Sequence, residues 1–338
     1  MMKKGLNESR DDGKNVKEVI KDLRKRSEKS LKMAKETVQG IKIECRDINE
    51  ALKHYTKHWN DYVHPGLMSV ACEAVGGSPD DSVPMQVVML LLTAAADIHD
   101  DIIDESKTKY GKPTVFGKFG KTITLLLGDA FLVKALTLLH GLKNQFSEEK
   151  INKVWDIIFY RFFELGEAEA LEACMKRNID ISPEEYLHII EKKASTFEAH
   201  MRIGALIGGG DNDVVDLLGN YGRTLGVLMS VREDFIDVFE PDELKNRMRN
   251  ECLPLPILYA FKDPQTKTKI LDYLSKRELS EKDAEHIVDI IFEDRNVEMF
   301  RNKIKRMSEE SSARVSGIQN QKLQLLLQRL AKSVIEEL

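Results

Sequence analysis

An all-α bundle is the fold class this sequence predicts, and three observations carry that expectation. Apolar residues recur at helical spacing, and no strand-like alternation of useful length is visible. Pro and Gly punctuate the chain between helices, at Pro65, Gly76-Gly77-Ser78-Pro79, Pro113, Pro183, Gly208-Gly209-Gly210 and Pro241. The 338 residues are 42% hydrophobic and 32% charged with only 9 Pro and 20 Gly, which suits one large helical domain.

The elements follow in order. Residues 1–13 read as a disordered tail, since Asn7 to Asn15 is polar or Gly throughout. Residues 14–46 form a Lys/Glu-rich amphipathic helix with Val16, Val19, Ile20, Leu23 and Leu31 on one side. Such a stripe suits a surface helix packed along one face better than a membrane-surface helix. Residues 47–338 form the main helical domain. Within it, Ser182-Pro183-Glu184-Glu185 is a helix start: Ser caps, Pro takes the first helical position and Glu185 completes a capping box. Gln319 to Leu338 is amphipathic and is expected to pack over the bundle or against a second subunit.

Composition excludes several functions. A net charge of -5 offers no basic footprint for nucleic acid. Cys45, Cys72, Cys174 and Cys252 lack CxxC spacing, which points to reduced core thiols in a cytoplasmic protein. The polar, charged N-terminus shows no secretory signal. The longest apolar run, Val87 to Ala96, is short of the roughly 20 residues of a membrane span, so no transmembrane segment is expected.

The chemistry starts where the apolar segment Val87 to Ile98 ends in His99-Asp100-Asp101-Ile102-Ile103-Asp104-Glu105. Asp100 and Asp104 share a helical face, where like charges repel. A hard divalent cation such as Mg²⁺ would remove that conflict and keep positions open for phosphate oxygens. Alone, DDxxD is equally an acidic patch on a solvated helix end. A second motif, Glu233-Asp234-Phe235-Ile236-Asp237, repeats the spacing after the apolar helix Leu225 to Val231. Two such motifs facing each other suit a diphosphate with a hydrocarbon tail: cations on the head, apolar helix walls around the tail.

From Ala51 to about Ala260 the chain resembles the trans-prenyl diphosphate synthases, or polyprenyl synthetases. HDDIIDES is similar to that family's first aspartate-rich motif. Gly111-Lys112-Pro113-Thr114 resembles its GKPT, Gly128-Asp129 its GD, and Lys192, Ala194 and Phe197 its KTAxLF segment. Tyr221-Gly222 and Leu225-Gly226 lead into the second motif as the family's do. The resemblance implies a single isoprenoid-synthase-type bundle with a central apolar cavity. It also implies that Asp100, Asp104, Glu233 and Asp237 ligate Mg²⁺, with Asp101 and Asp234 beside them in the substrate site. Lys109, in place of the family's first Arg of RRG, and Lys192 would bind the allylic diphosphate, and Asp100, Asp104 and Lys192 would act in catalysis. Ala95 and Ala96, where short-chain members carry bulky aromatics, would leave a channel open for a long tail.

Departures from the family concentrate on the half that binds isopentenyl diphosphate. Asn60-Asp61-Tyr62-Val63-His64-Pro65 stands where the family has GKxxRP, so Asp61 replaces a phosphate-binding Lys and His64 an Arg. Tyr110 replaces the second Arg of RRG, Met229-Ser230 the FQ pair, and Asn250 the Lys of KxTLP. Each lost cation removes a charge-assisted contact of about 1.5–3 kcal/mol. Glu233 in place of Asp moves its carboxylate by about 1.5 Å. The leading expectation is a Mg²⁺-dependent prenyltransferase acting on allylic prenyl diphosphates, as a homodimer or as a heteromer with a second prenyl synthase subunit. Two alternatives are a weakly catalytic or regulatory subunit of such a heteromer, and a terpene cyclase-like lyase. The cyclase pattern would put its last metal ligand at Pro241, which argues against it.

Overall fold

A computed structural model describes residues 12–109 and 111–336. The all-α expectation is met. Among the described residues are fifteen α-helices and two short 3-10 helices, with one hairpin of two-residue strands, Thr108–Lys109 against Lys112–Pro113. Residues 1–11 of the expected tail lie outside the described residues, and helix α1 already begins at Asp12 and ends at Gln39, earlier than expected. Of its predicted stripe, Val19 and Leu23 are buried and Ile20 and Leu31 half-buried, while the Val16 side chain lies outside what is described. The stripe continues through Ser27, Ser30, Ala34 and Val38 and packs on helices α3 (Val63–Ala74) and α4 (Pro79–Ile103). Helix α2 (Arg46–His58) precedes them.

Helix α4 is the axis of the bundle. Ser78 and Asp81 form a capping box at its start, and Val87 through Leu92 are all buried. Full burial of such side chains stabilises the fold by about 1.5–3 kcal/mol each. Helix α5 (Val115–Gly141) packs along α4, helped by Gly128, where a Cβ would strike the His99 ring. Helices α6 (Glu148–Met175), α7 (Pro183–Lys193), α8 (Ser195–Gly208) and α9 (Asn212–Asp237) complete the wall. The Ser182–Glu185 capping box is present at the start of α7.

The remaining helices are α10 (Pro241–Asn250), α11 (Leu255–Ala260), α12 (Pro264–Leu274), α13 (Glu281–Glu293), α14 (Arg295–Arg314) and α15 (Gln321–Ser333). Of the two outcomes expected for the C-terminal helix, packing on its own bundle is observed. The Tyr221 hydroxyl donates to the Leu327 carbonyl at 2.6 Å, and Ser308 Oγ to that of Ala331 at 2.8 Å.

The expectation of four core thiols needs correction, and the expectation of no transmembrane segment needs a wider measure than the consecutive apolar run. Pro79–Ile103 and Val115–Asn144 are long and apolar enough to cross a membrane, because helices tolerate scattered polar residues that break a consecutive apolar run. For α4 that apolarity serves the core, whereas α5 exposes Leu125, Leu126, Leu132 and Val133. On α6, Phe159, Tyr160 and Phe163 are likewise exposed, Phe163 by 70%. All four cysteines are free, but only Cys72 and Cys252 are buried; Cys174 is exposed.

Candidate active site

The two acidic motifs end α4 and α9, and the chain that follows each motif folds back onto the acids. After α4, the hairpin turns at Gly111 (φ 69°) and Thr114 caps α5, accepting from the Gly117 N–H at 2.9 Å. That turn returns Lys109 to α4, where its ammonium lies 2.9 Å from both Asp97 and Asp101. Burial, followed by Asp97 among the repelling charges, raises Asp101 to about 6 although Lys109 opposes the shift. The acids raise Lys109 in turn, against its own desolvation. Tyr110 lies outside the described residues.

After α9, Arg247 of α10 reaches back to the second motif. It is buried, pairs with Asp234, and lies 3.5 Å from Asp237 and 3.0 Å from Glu251. The other oxygen of Asp234 accepts the Leu255 N–H at 2.9 Å, so both oxygens of Asp234 are taken up inside the protein. Burial raises Asp237 to about 7 despite Arg247. Although Glu233 is exposed, it sits deep enough in the cleft for desolvation, then Asp234, to raise its carboxyl.

The motifs act on each other across the cleft. Lys109 of the first side offsets charge on Glu233 of the second. Glu251, held by Arg247, raises Asp104 to about 7 together with burial, the largest cause, and Asp100. Lys176 at the end of α6 pairs with Asp104 at 3.2 Å. Lys193 at the end of α7 pairs with Glu172 and lies 3.2 Å from Glu169. It also draws down Asp104, and Asp100 raises it. Lys192, expected to bind diphosphate, pairs instead with Glu167 at 2.7 Å and lines a separate cleft with Arg223 and His188.

A hard cation fits this donor set in kind. The candidate ligands Asp100, Asp104, Glu233 and Asp237 offer carboxylate oxygens, and Asp100 Oδ1 is buried without a hydrogen-bond partner. Among the described residues, no three such groups converge tightly enough to hold an ion as they stand. Protein cations take part of that role: Lys109 on Asp101, Lys176 on Asp104 and Arg247 on Asp237.

Where the resemblance implies the isopentenyl diphosphate site, Asp61 and His64 form a local pair. Asp61 Oδ2 and His64 Nδ1 are 2.9 Å apart, and the His64 ring packs against Phe197 and His200. Asp61 raises His64, against desolvation, while burial and His64 lower His200 to about 3. Of the tail residues, Ala95 is buried in the apolar core and Ala96 is half-buried.

A family model described as polyprenyl synthetase matches residues 45–291. The chain belongs to the polyprenyl synthetase family. It is a prenyltransferase of the polyprenyl diphosphate synthase type. A short chain isoprenyl diphosphate synthase of Methanothermobacter thermautotrophicus is 27% identical over 275 residues, 81% of this chain and 80% of that protein. The large subunit 1 of a heterodimeric geranylgeranyl pyrophosphate synthase of Arabidopsis thaliana is 28% identical over 250 residues, 70% of this chain and 64% of its own. The crystal structure of geranylgeranyl pyrophosphate synthetase from Pyrococcus horikoshii shares the fold at a TM-score of 0.83, with 22% identity over 95% of this chain and 99% of that one.

For this polyprenyl synthetase, sequence reasoning missed Arg247, Lys193, Lys176 and the pair Glu169 and Glu172. A signal existed for some. Glu169 and Glu172 are at helical i, i+3 spacing, as Arg247 and Glu251 are at i, i+4. Lys193 was visible only as a departure from the family's Thr.

Proposed function

We propose that this polyprenyl synthetase is a Mg²⁺-dependent trans-prenyltransferase that ionises an allylic prenyl diphosphate. The observation that carries the reading is the chain of contacts joining the motifs: Lys176 pairs with Asp104, the N–H of neighbouring Arg177 donates to the Glu251 carbonyl, and the Glu251 side chain pairs with Arg247 beside Asp237. It sets two acidic helix ends around one cleft. Asp100, Asp104, Glu233 and Asp237 would hold Mg²⁺, which when bound offsets the charge of the departing diphosphate. Lys109 and Lys193 supply fixed positive charge beside those acids. Asp101 and Asp234 position the motifs through Lys109 and Arg247. The apolar wall of α4 keeps water from the allylic cation, and half-buried Ala96 is the residue from which a long tail would be admitted.

A second reading, a subunit that needs a partner for full activity, is favoured by the Asp61–His64 pair. A carboxylate stands there where an acceptor's diphosphate needs a cation. The exposed apolar residues of α5 and α6 offer a face for that partner, a second copy or another prenyl synthase. The free cysteines suit a reducing, cytoplasmic compartment.

The test is diphosphate release from C10 to C20 allylic diphosphates by the purified chain, with and without isopentenyl diphosphate. Asp100→Ala should lower turnover by about a hundredfold or more and remove Mg²⁺-dependent substrate binding. Unchanged Mg²⁺-dependent binding in the Asp100→Ala, Glu233→Ala double variant would sink the metal assignment. Slow condensation by the homomer, rising when a second prenyl synthase subunit is added, would favour the subunit reading.

A further inference from the structure

A second cleft, of about 340 Å³, lies between the ends of α4, α6 and α10, lined by Ile103, Glu105, Lys176, Arg177, Arg249 and Asn250. Three of these side chains are cations, against the single carboxylate of Glu105. Lys176 is shared with Asp104, but among the described residues neither Arg177 nor Arg249 has an ion-pair partner. Two guanidiniums without an ion-pair partner line one concave site, and the N–H groups they have left over suit phosphate oxygens.

The backbone sets this cleft apart from an ordinary basic patch. Glu105 (φ 53°) and Arg177 (φ 64°) are the two non-glycine residues of left-handed conformation among the described residues, and both line it. An L-residue there is strained because its Cβ crowds the following carbonyl. Such strain persists where neighbouring contacts over-determine it, and ligand clamps are a common setting. Those contacts are present. The Arg177 N–H donates to the Glu251 carbonyl at 3.3 Å and its Nε–H to the Arg249 carbonyl at 2.6 Å. Lys176 donates to the Ile103 carbonyl and to Asp104. The corner after α6 is thus stitched to the ends of α4 and α10, which holds Lys176 and Arg177 beside the first acidic motif and leaves the Arg249 side chain free to swing over the cleft.

We infer that this cleft binds a diphosphate group. The inference rests on the proposed function for the choice of anion, and it names a place other than the Asp61–His64 pair. His64 senses Glu233 and Asp97, whereas Lys176 holds Asp104, two helical turns or about 10 Å further along α4. A diphosphate beside Asp104 has two sources, a second prenyl diphosphate substrate or the inorganic pyrophosphate that the reaction releases.

Isothermal titration calorimetry of the full chain in EDTA, with inorganic pyrophosphate and separately with isopentenyl diphosphate, tests this while silencing metal-dependent binding between the motifs. The wild type should bind at least one of them. Arg249→Ala and Arg177→Gly, the latter suited to the positive φ, should each weaken that binding at least tenfold. Arg249→Lys, which keeps the charge without the planar guanidinium, should restore only part of it, and circular dichroism melts would show that each variant is folded. Loss confined to pyrophosphate assigns the cleft to the leaving product; loss of isopentenyl diphosphate binding assigns it to the second substrate. Absence of metal-free binding by the wild type, or unchanged binding in both arginine variants, would overturn the inference. A wild type without prenyltransfer that still binds through Arg177 and Arg249 would remove the proposed function and leave the cleft, and the reverse pattern would remove the cleft alone.

Discussion

Asp104 and Asp237 close the two acidic motifs at matching positions, and burial raises each carboxyl to about 7. Burial also raises Glu169 to about 8. An acid with a higher pKa in the folded chain binds its proton more tightly there. Its contribution to stability is fully present below the unfolded value and is lost as pH rises through the folded one. His64, raised by Asp61, contributes with the same sign. His200, lowered to about 3, opposes them only below its ordinary value of 6.5. Above that pH the signs agree, so the protein in EDTA should melt at a progressively lower temperature from about pH 6.5 to 8.5. On the proposed function, Mg²⁺ with a diphosphate would bind the ionised carboxylates and should raise the melting temperature more at pH 8.5 than at 6.5. Scanning calorimetry at both pH values reads this. A flat EDTA profile would mean that Lys193 and Arg247 already compensate the acids in full.

At the scale of elements, the crossing of α3 and α8 depends on missing side chains. A Cβ at Gly204 would strike the Met68 carbonyl oxygen, and one at Gly208 that of Cys72, one turn further along both helices. Gly204→Ala should cost about 1–3 kcal/mol by forcing the helices apart, measured by urea unfolding. Since α8 follows the helix that carries Lys193, some loss of turnover should accompany it. Elements of this kind were legible from sequence when their signal was local. The amphipathic stripe of α1, the Ser182–Glu185 cap and the two apolar helices ending in acids are each written within a few consecutive helical turns. The cations that meet the acids were not legible, because Lys176 reaches Asp104 from 72 residues away. Arg247 read as one charge in the polar stretch of α10, and only the turn into that helix returns it beneath Asp234. Lys192 and Lys193 are neighbours in sequence, but a rotation of about 100° per residue separates them on a helix. One faces Glu167 and the other the acidic cleft, a distinction that a motif match cannot make.

For the whole molecule, the exposed apolar side chains of α5 and α6 are the feature a monomer least explains. Leu125, Leu126, Leu132 and Val133 recur at two-turn spacing on α5, and on α6 Phe159 and Phe163 stack at 6.2 Å with Tyr160 beside them. Their own bundle does not cover them, whereas α4, of similar apolarity, is mostly buried. Left in water, such residues cost about 25 cal/mol for each Å² of apolar surface that association would hide, so the chain should associate through this face. Helix α6 also carries Glu169 and Glu172, which hold Lys193 beside the cleft. A partner seated on α6 would therefore stiffen the wall of the active site. Sedimentation velocity should find a dimer or larger species for the wild type and a monomer for Phe159→Glu, Phe163→Glu. If the partner supports the site through α6, turnover per chain should fall with the monomer fraction and return at protein concentrations high enough to restore association. A wild-type monomer at micromolar concentration would leave the face to a different prenyl synthase subunit. Co-purification of a defined subunit pair, with sedimentation and turnover both restored in the mixture, would then be the expected result.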